Sequence, residues 1–213
     1  MARNLNPQCK QCRRIGEKLF LKGERCLSQK CAIVKRNYPP GAKGMAGAKG
    51  GRQRRSDYGL QLLEKQKIKK QYQLLEKQFK LTFLKASKLA GDKGENFLKL
   101  LETRFDNIIY RFGYATSRNT ARQLINHGHF MINNKKVNIP SYQVKEGDII
   151  AINPTSFKLK PFNKLDEIFK KAEVPGWLNL DKKEKKGKVM HLPGMADIKC
   201  NINLPLVVEY YSR

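Results

Sequence analysis

The chain has 213 residues, and its 44 lysines and arginines against 18 acidic residues give a formal net charge of +26 at pH 7. This excess of positive charge is typical of proteins that bind polyanions, so we expect a nucleic acid or an anionic membrane as partner. No apolar run in the sequence approaches the roughly 18 residues that span a bilayer, and the N-terminus lacks the apolar stretch of a signal peptide. We therefore expect an intracellular protein that binds nucleic acid.

The positive charge is concentrated near the N-terminus. Residues 1–55 contain 15 lysines and arginines, whereas Glu17 and Glu24 are the only acidic residues there. Such a segment repels itself and needs a counter-charge or a cross-link to fold compactly. Its glycine-rich end, residues 41–55, does not fit the known nucleotide-phosphate loops. We predict that this end is a flexible basic linker that lies along phosphates when the protein is bound.

Four of the five cysteines lie in the first 31 residues, with the spacing C-x2-C-x13-C-x4-C. Paired cysteines of this kind predict that Cys9, Cys12, Cys26 and Cys31 bind one structural zinc ion, with no open position for catalysis. Disulfides, free thiols and an iron–sulfur cluster are the alternatives, of which disulfides are disfavoured inside a cell. The lone Cys200 is interpreted as a small buried apolar residue.

The residue pattern after position 55 predicts helices followed by a small sheet. Ser56 is a candidate N-cap for a helical region with an apolar stripe to residue 83 and a break or bend between residues 63 and 68. Further helices are predicted at 97–112, 118–126 and 165–172. Strands are predicted at 130–133, 137–139 and 149–152, with Asn134 in a tight turn that requires positive φ. Residues 182–188 are predicted as a polar tip, and residues 204–210 as an apolar strand or a docked tail.

One stretch of the sequence resembles a known RNA-binding module. The residues SRNTARQLINHGHFMINNKKVNIPSYQVKEGDIIAI are similar to the module named after the S-four family of bacterial ribosomal proteins. The segments CKQCRRIGEKLFLKGERC, SDYGLQLLEKQK, VPGWL and VVEYYSR also resemble that family, in the same order and over nearly the whole chain.

The resemblance implies a structural protein of the small ribosomal subunit that binds 16S rRNA directly and early in assembly. It also implies a position near the mRNA entry path, beside small-subunit protein number five, with a contribution to translational accuracy. A bacterial cytoplasmic ribosome is favoured over an organellar one, and no membrane or small-molecule substrate is expected.

Residue patterns and resemblance together predict an α+β fold. A mainly helical domain carries an N-terminal zinc finger and a basic linker, and a small αα-β RNA-binding domain of the S-four type is inserted in it. The predicted boundaries are a zinc-finger segment at 1–45, the linker and helical domain at 46–96, the RNA-binding domain at 97–163, and a C-terminal segment at 164–213 that completes the helical domain.

Phosphate contacts dominate affinity for nucleic acids, so the candidate binding residues are mainly basic. To these we add a helix-start hydroxyl, two histidines that the resemblance places by the RNA, and a tyrosine that could stack on a base. The candidates are Arg3, Arg13, Arg14, Arg25, Arg36, Arg52, Arg54, Arg55, Tyr58, Lys65, Lys69, Ser117, Arg118, Arg122, His127, His129, Lys135 and Lys136.

The sequence supports other classes of function less well. The same RNA-binding module is attached to RNA-modifying enzymes, but these need a further large domain, and the sequence shows no acid–base pair. We therefore predict that the chain is not an enzyme. A stand-alone RNA-binding regulator or an RNA-modifying accessory protein is the alternative. A DNA-binding regulator is disfavoured because the basic residues are not confined to one recognition helix.

Overall fold

The computed structural model describes Asn4 and residues 6–41, 56–159, 162–163, 165, 168–169, 173–198 and 202–212. The helices in these ranges, numbered in chain order, are α1 (Gln8–Ile15), α2 (Glu24–Leu27), α3 (Ala32–Lys35), α4 (Asp57–Gln71), α5 (Glu76–Ala86), α6 (Lys93–Glu102), α7 (Phe105–Arg111), α8 (Arg118–Asn126) and α9 (Leu204–Ser212). The strands are β1 (Phe130–Ile132), β2 (Lys135–Lys136), β3 (Ile149–Ile152), β4 (Leu178–Asp181) and β5 (Lys186–Val189). The chain divides into two compact units, residues 1–88 with 201–213 and residues 89–200.

Helix α4 is the main helix of the first unit. The side chain of Ser56 accepts a hydrogen bond from the third residue after it, which confirms Ser56 as the N-cap. The predicted break in the middle of this helix is wrong, because a paired polar residue fills the gap in the apolar stripe. Lys65 is buried there, forms an ion pair with Glu76, and places its ammonium group 4.9 Å from the centre of the Tyr210 ring.

Helix α9 packs against α4 within the first unit. Residues 204–210 therefore form a docked helix and not the strand that was one of the two expectations. The Tyr211 ring stacks on Phe83 with centroids 4.6 Å apart, and the Asn203 N–H donates to the Glu64 carboxylate over 3.1 Å. Helix α9 thus packs on both α4 and Phe83 of α5 within the first unit.

The second unit begins with two helices where one was predicted. Helix α6 ends at Glu102, and α7 begins at Phe105. The N–H groups of Phe105 and Asp106 donate to the carbonyl oxygens of Tyr142 and Pro140 over 2.9 and 3.1 Å. Because these donors bond to a neighbouring loop, they cannot continue the α6 hydrogen-bond ladder, and the helix breaks.

The five strands form one antiparallel sheet with the order β2-β1-β3-β5-β4. The turn between β1 and β2 has φ values of 49° at Asn133 and 63° at Asn134, which confirms the predicted positive φ. The predicted strand at 137–139 is wrong, since β2 is confined to the two lysines before it. The Asn133 side chain also donates to Asp148 over 2.8 Å, which ties this turn to the entry of β3.

The hairpin of β4 and β5 changes the expected domain organisation. Residues 164–213 were assigned together to the helical domain, and residues 182–188 to a polar tip. The structure instead pairs β5 with β3, so that residues 178–189 belong to the sheet of the second unit. Buried Leu178 and Val189, which face each other across the hairpin, join the same core as Trp177 and Phe130.

Gly187 in β5 lies directly under the ring of Phe112, which is fully buried. A Cβ atom at this position would come closer than 3.0 Å to atoms of that ring. We expect Gly187→Val to lower the free energy of unfolding by about 1–3 kcal/mol, because a packed core resists added volume. Urea unfolding of the full chain measures this change.

Lys188→Val is the matched control, because Lys188 is the exposed neighbour of Gly187 in the same strand. It adds the same side chain on the solvent face, so we expect a change within about 0.5 kcal/mol. Equal stability of the two variants would show that the Phe112 ring moves aside at no cost.

Candidate nucleic-acid interface

A cationic groove lies in the N-terminal part of the first unit. The groove has a volume of about 400 Å³, and none of the described side chains that line it is acidic. Its lining residues are Arg13, Arg25, Lys30, Ala32, Lys35 and Arg36. Five cations around one concave surface produce a strong positive potential that attracts phosphate groups. We call this surface the cationic groove.

Arg13 is held in place at this groove by its neighbours. Its Nε and Nη2 donate to the carbonyl oxygens of Tyr38 and Pro39 over 3.0 and 3.3 Å. The guanidinium group also lies 4.8 Å from the centre of the Tyr38 ring, at cation–π distance. These partners are neutral, so none of them cancels the positive charge that Arg13 presents to an anionic partner.

The structure brings together part of the predicted N-terminal set. Arg13, Arg25 and Arg36 share the cationic groove, with Lys30 and Lys35 added. Each lysine adjoins a predicted site residue in the chain, Cys31 for Lys30 and Arg36 for Lys35, so position along the chain was a signal that could have found them. The candidates Arg3, Arg52, Arg54 and Arg55, the linker at 42–55 and Cys200 lie outside the described residues.

Arg14 is exposed, but it is not among the described residues that line the groove. Burial and the nearby charges of Arg14 and Lys69 lower the pKa of Lys70. The three cations are therefore close enough to repel one another, which extends the positive surface onto the end of α4.

The four N-terminal cysteines surround one small cavity of about 20 Å³. Cys12, Cys26 and Cys31 are buried, Cys9 is partly buried, and all four are free thiols. Burial, reinforced by the neighbouring sulfurs, raises the pKa of the Cys12 thiol. In the described ranges, no group of three or more His, Cys, Asp or Glu side chains has the geometry to hold a metal ion. Zinc binding therefore stays a prediction.

Backbone N–H groups donate to two of these sulfurs. Lys22 donates to the Cys26 sulfur over 3.3 Å, and Leu19 donates to Cys12. At Cys12 this hydrogen bond opposes the effect of burial, but burial outweighs it and the pKa of the thiol is raised overall. Four cysteine sulfurs around one cavity are nevertheless a donor set that suits zinc chemically.

Two arginines predicted to face RNA are buried in the second unit instead. Arg118 Nε donates to the Asn107 side chain over 2.8 Å, and its guanidinium group lies 4.5 Å from the centre of the Tyr110 ring. Arg122 forms an ion pair with Asp106 at 3.4 Å, with both side chains 7% exposed. Their shared helical face points toward α7, which supplies Asp106 as the ion-pair partner of Arg122 and Asn107 as the hydrogen-bond acceptor for Arg118. Both assignments as RNA-contacting residues are therefore corrected.

Ser117 is also buried, and its role differs from the predicted one. Its side-chain oxygen accepts the Thr120 N–H over 3.2 Å, so the hydroxyl group serves as the N-cap of α8. A phosphate contact through this hydroxyl is not supported.

Lys65 and Lys69 are engaged within the first unit. Both form ion pairs with Glu76, and Lys69 does so at 2.7 Å. Burial opposes ionisation of Glu76, but hydrogen bonds from the two lysines outweigh it and lower its pKa. Lys65 in particular is buried, so the prediction that it contacts RNA is corrected. Tyr58, by contrast, stays 51% exposed, although its ring centroid lies 5.9 Å from that of Tyr210.

A second exposed surface surrounds the first hairpin of the second unit. His127, Lys135 and Lys136 are exposed, and the side chain of Lys136 lies so close over Gly128 that a Cβ there would collide with it. His129 is half-buried, and its Nδ1 lies 2.9 Å from the Ser156 hydroxyl oxygen. Burial, together with the nearby His127 and Lys136, lowers the pKa of His129. We call His127, Lys135 and Lys136 the hairpin surface.

Among the described helices, none has both the length and the apolar character needed to cross a membrane.

Comparisons with known proteins agree with the resemblance found in the sequence. Residues 3–102 match the family described as ribosomal protein S4/S9 N-terminal domain, and residues 103–150 match the S4 domain. The chain is 49% identical to small ribosomal subunit protein uS4 of Halothermothrix orenii and 51% identical to that of Geotalea daltonii. It is 50% identical to uS4A of Alkaliphilus metalliredigens, and each alignment covers 100% of both chains. These relatives are named as ribosomal proteins and not as enzymes, which confirms the non-enzyme prediction. The chain belongs to the uS4 family of small ribosomal subunit proteins.

Proposed function

We propose that the chain is a structural protein of the small ribosomal subunit in the bacterial cytoplasm, and that it binds 16S rRNA directly. The observation that carries this proposal is the cationic groove, in which five cations meet and none of the described lining residues is acidic. The net charge of +26 and the full-length similarity to small-subunit proteins support the same conclusion.

The exposed cations are distributed over separate elements. The cationic groove lies on α1 to α3, and the hairpin surface lies on the turn after α8 and on β2. Helix α8 buries Arg118 and Arg122 and so presents no row of arginines to a nucleic-acid groove. This arrangement suits recognition of RNA shape through phosphates and riboses, with no recognition helix in a DNA major groove.

The resemblance carries the proposal further. We propose that binding occurs early in small-subunit assembly and helps to nucleate it, beside small-subunit protein number five and near the mRNA entry path. A contribution to translational accuracy follows from that position. Omitting the chain from a stepwise reconstitution tests the first point, because later proteins should then fail to join.

The groove is tested by a triple variant, Arg25→Ala, Lys30→Ala and Arg36→Ala. If each cation neutralises one phosphate, the slope of log affinity for small-subunit rRNA against log salt should become shallower by about 2. Filter binding at several salt concentrations measures the slope.

The matched control removes the same charge from the β4–β5 hairpin. Lys182→Ala, Lys183→Ala and Lys188→Ala replace three exposed lysines there. We expect the slope to change by less than about 1, because the groove contributes through specific phosphate contacts and not through net charge alone. The same change in both variants would contradict the proposal that the groove is a binding surface.

We further propose that Cys9, Cys12, Cys26 and Cys31 bind one structural zinc ion. Four thiols around one cavity and N–H donors to two sulfurs support this proposal. The thiols would have to lose protons and close around the ion. Zinc would then fix α1 to α3, on which the groove cations are carried.

A further inference from the structure

Phe20 combines a strained backbone conformation with an exposed side chain, which is unusual for a loop residue. Its φ is 51°, and its side chain is 44% exposed. A bulky residue in the left-handed region is an outlier, because its Cβ approaches the following carbonyl oxygen too closely. Burial of the ring in a core could offset this strain, but nearly half of the side chain remains in solvent. The packing of Phe20 itself therefore does not explain its conformation.

The neighbours of Phe20 fix the loop in this conformation. Leu19 and Leu21 are 4% and 3% exposed and anchor the chain on both sides. The hydrogen bonds from Leu19 and Lys22 to the sulfurs of Cys12 and Cys26 hold the same loop. With the flanking residues buried and bonded, the intervening side chain is directed outward. Strain that the surroundings maintain in this way is a frequent property of binding sites.

The charges near Phe20 indicate what its ring could bind. Lys18 and Lys22 are exposed on either side of it in the sequence. The nearby carboxylate of Glu17 forms an ion pair with Lys67 at 2.7 Å, which offsets its negative charge. Proteins bind single-stranded nucleic acid with exposed rings that stack on bases and cations that contact phosphates, and Phe20 with its two neighbouring lysines in the chain supplies both kinds of group.

We propose that Phe20 stacks on an unpaired base of the bound RNA, with Lys18 and Lys22 at phosphates on either side. This proposal rests on the proposed function, which supplies the RNA, and adds a residue with a base-contacting role. A protein partner fits less well, because it would need acidic groups to receive both ammonium groups.

Phe20→Gly tests the proposal because glycine adopts positive φ without strain. The variant should be at least as stable as the wild type, but its affinity for full-length small-subunit rRNA should fall by about ten-fold. The slope against salt should stay unchanged, because no phosphate contact is lost. Phe20→Leu keeps the apolar bulk without the ring and should lose a similar factor, whereas Phe20→Trp should keep the affinity.

The two proposals fail in distinguishable ways. If the wild type binds rRNA and Phe20→Gly stays within about two-fold of it, stacking by Phe20 is excluded while rRNA binding stands. A shallower salt slope, or a clear loss of stability in Phe20→Gly, would assign Phe20 to phosphate positioning or to the fold and would also overturn the proposal. Unchanged RNA affinity with reduced incorporation into small subunits would identify a protein contact instead.

Discussion

Asp106→Ala is expected to lower the free energy of unfolding by about 3–5 kcal/mol, which is the usual cost of removing one partner from a buried ion pair. Asp106 lies at the centre of a buried charge cluster in the second unit. Its carboxylate accepts bonds from Arg104 Nε and Nη2 over 3.1 and 2.8 Å and forms an ion pair with Arg122 at 3.4 Å. All three side chains are 7% exposed or less.

The large effect follows from what the substitution leaves behind. Burial already lowers the pKa of Arg122, and the charge of Asp106 opposes that shift. Without Asp106, the guanidinium groups of Arg104 and Arg122 lose the carboxylate that they share in a buried site with a lower effective dielectric than water. Urea unfolding followed by circular dichroism measures the change.

Glu146→Ala is the matched control, because it removes a carboxylate from an exposed turn of the same unit. We expect a change within about 0.5 kcal/mol for the control. If Asp106→Ala were destabilised as little as Glu146→Ala, the burial and charge pairing described for Asp106 would be incorrect.

Removal of zinc is expected to have a similarly large effect on the stability of the first unit. Structural zinc contributes apparent binding free energies of about 10–16 kcal/mol in zinc-finger peptides. A chelator should therefore unfold the segment of α1 to α3, while the second unit, with its own core, stays folded. The cationic groove should be lost with that segment, so binding to small-subunit rRNA should weaken.

Elemental analysis of RNA-free protein should give about one zinc ion per chain. Cys26→Ser should abolish this stoichiometry, whereas Cys200→Ser, which replaces the lone fifth cysteine of the sequence, should retain it. A metal-free wild type that keeps its helicity and its RNA affinity after chelation would contradict the zinc proposal.

Local signals in the sequence were sufficient to predict several structural features. Ser56 was identified as an N-cap, because a capping side chain acts on N–H groups two or three residues away. The Asn133–Asn134 turn followed from the tolerance of asparagine for positive φ. These features depend on neighbours in the chain and so can be predicted without the fold.

The roles of Arg118 and Arg122 could not be predicted from helical spacing. Spacing showed that they share a face, but the partner of that face depends on α7, which contributes Asp106 and Asn107. The acidic Asp106 within an apolar stripe was the available signal for Arg122, because buried carboxylates require cationic partners. Lys65 was misassigned for the same reason, since its partner Glu76 lies beyond the end of α4.

The hairpin of β4 and β5 was missed because short strands carry little periodicity. Strand β5 contains Gly187 and two lysines, a composition that is typical of a loop. Its pairing with β3, more than thirty residues earlier in the chain, supplies the stability that the local sequence lacks. Helix α9 was ambiguous for a related reason, because a short apolar run does not distinguish a helix from a strand.

Direct binding of small-subunit rRNA is tested most directly by a competition experiment. The full chain is titrated with folded small-subunit rRNA and with duplex DNA of equal length at ~0.2 M salt, where non-specific electrostatic binding is weak. We predict a preference for the rRNA of at least about ten-fold, because specific contacts persist at this salt concentration. Equal affinity for the two polyanions would contradict a ribosomal function and would leave only a general attraction to negative charge.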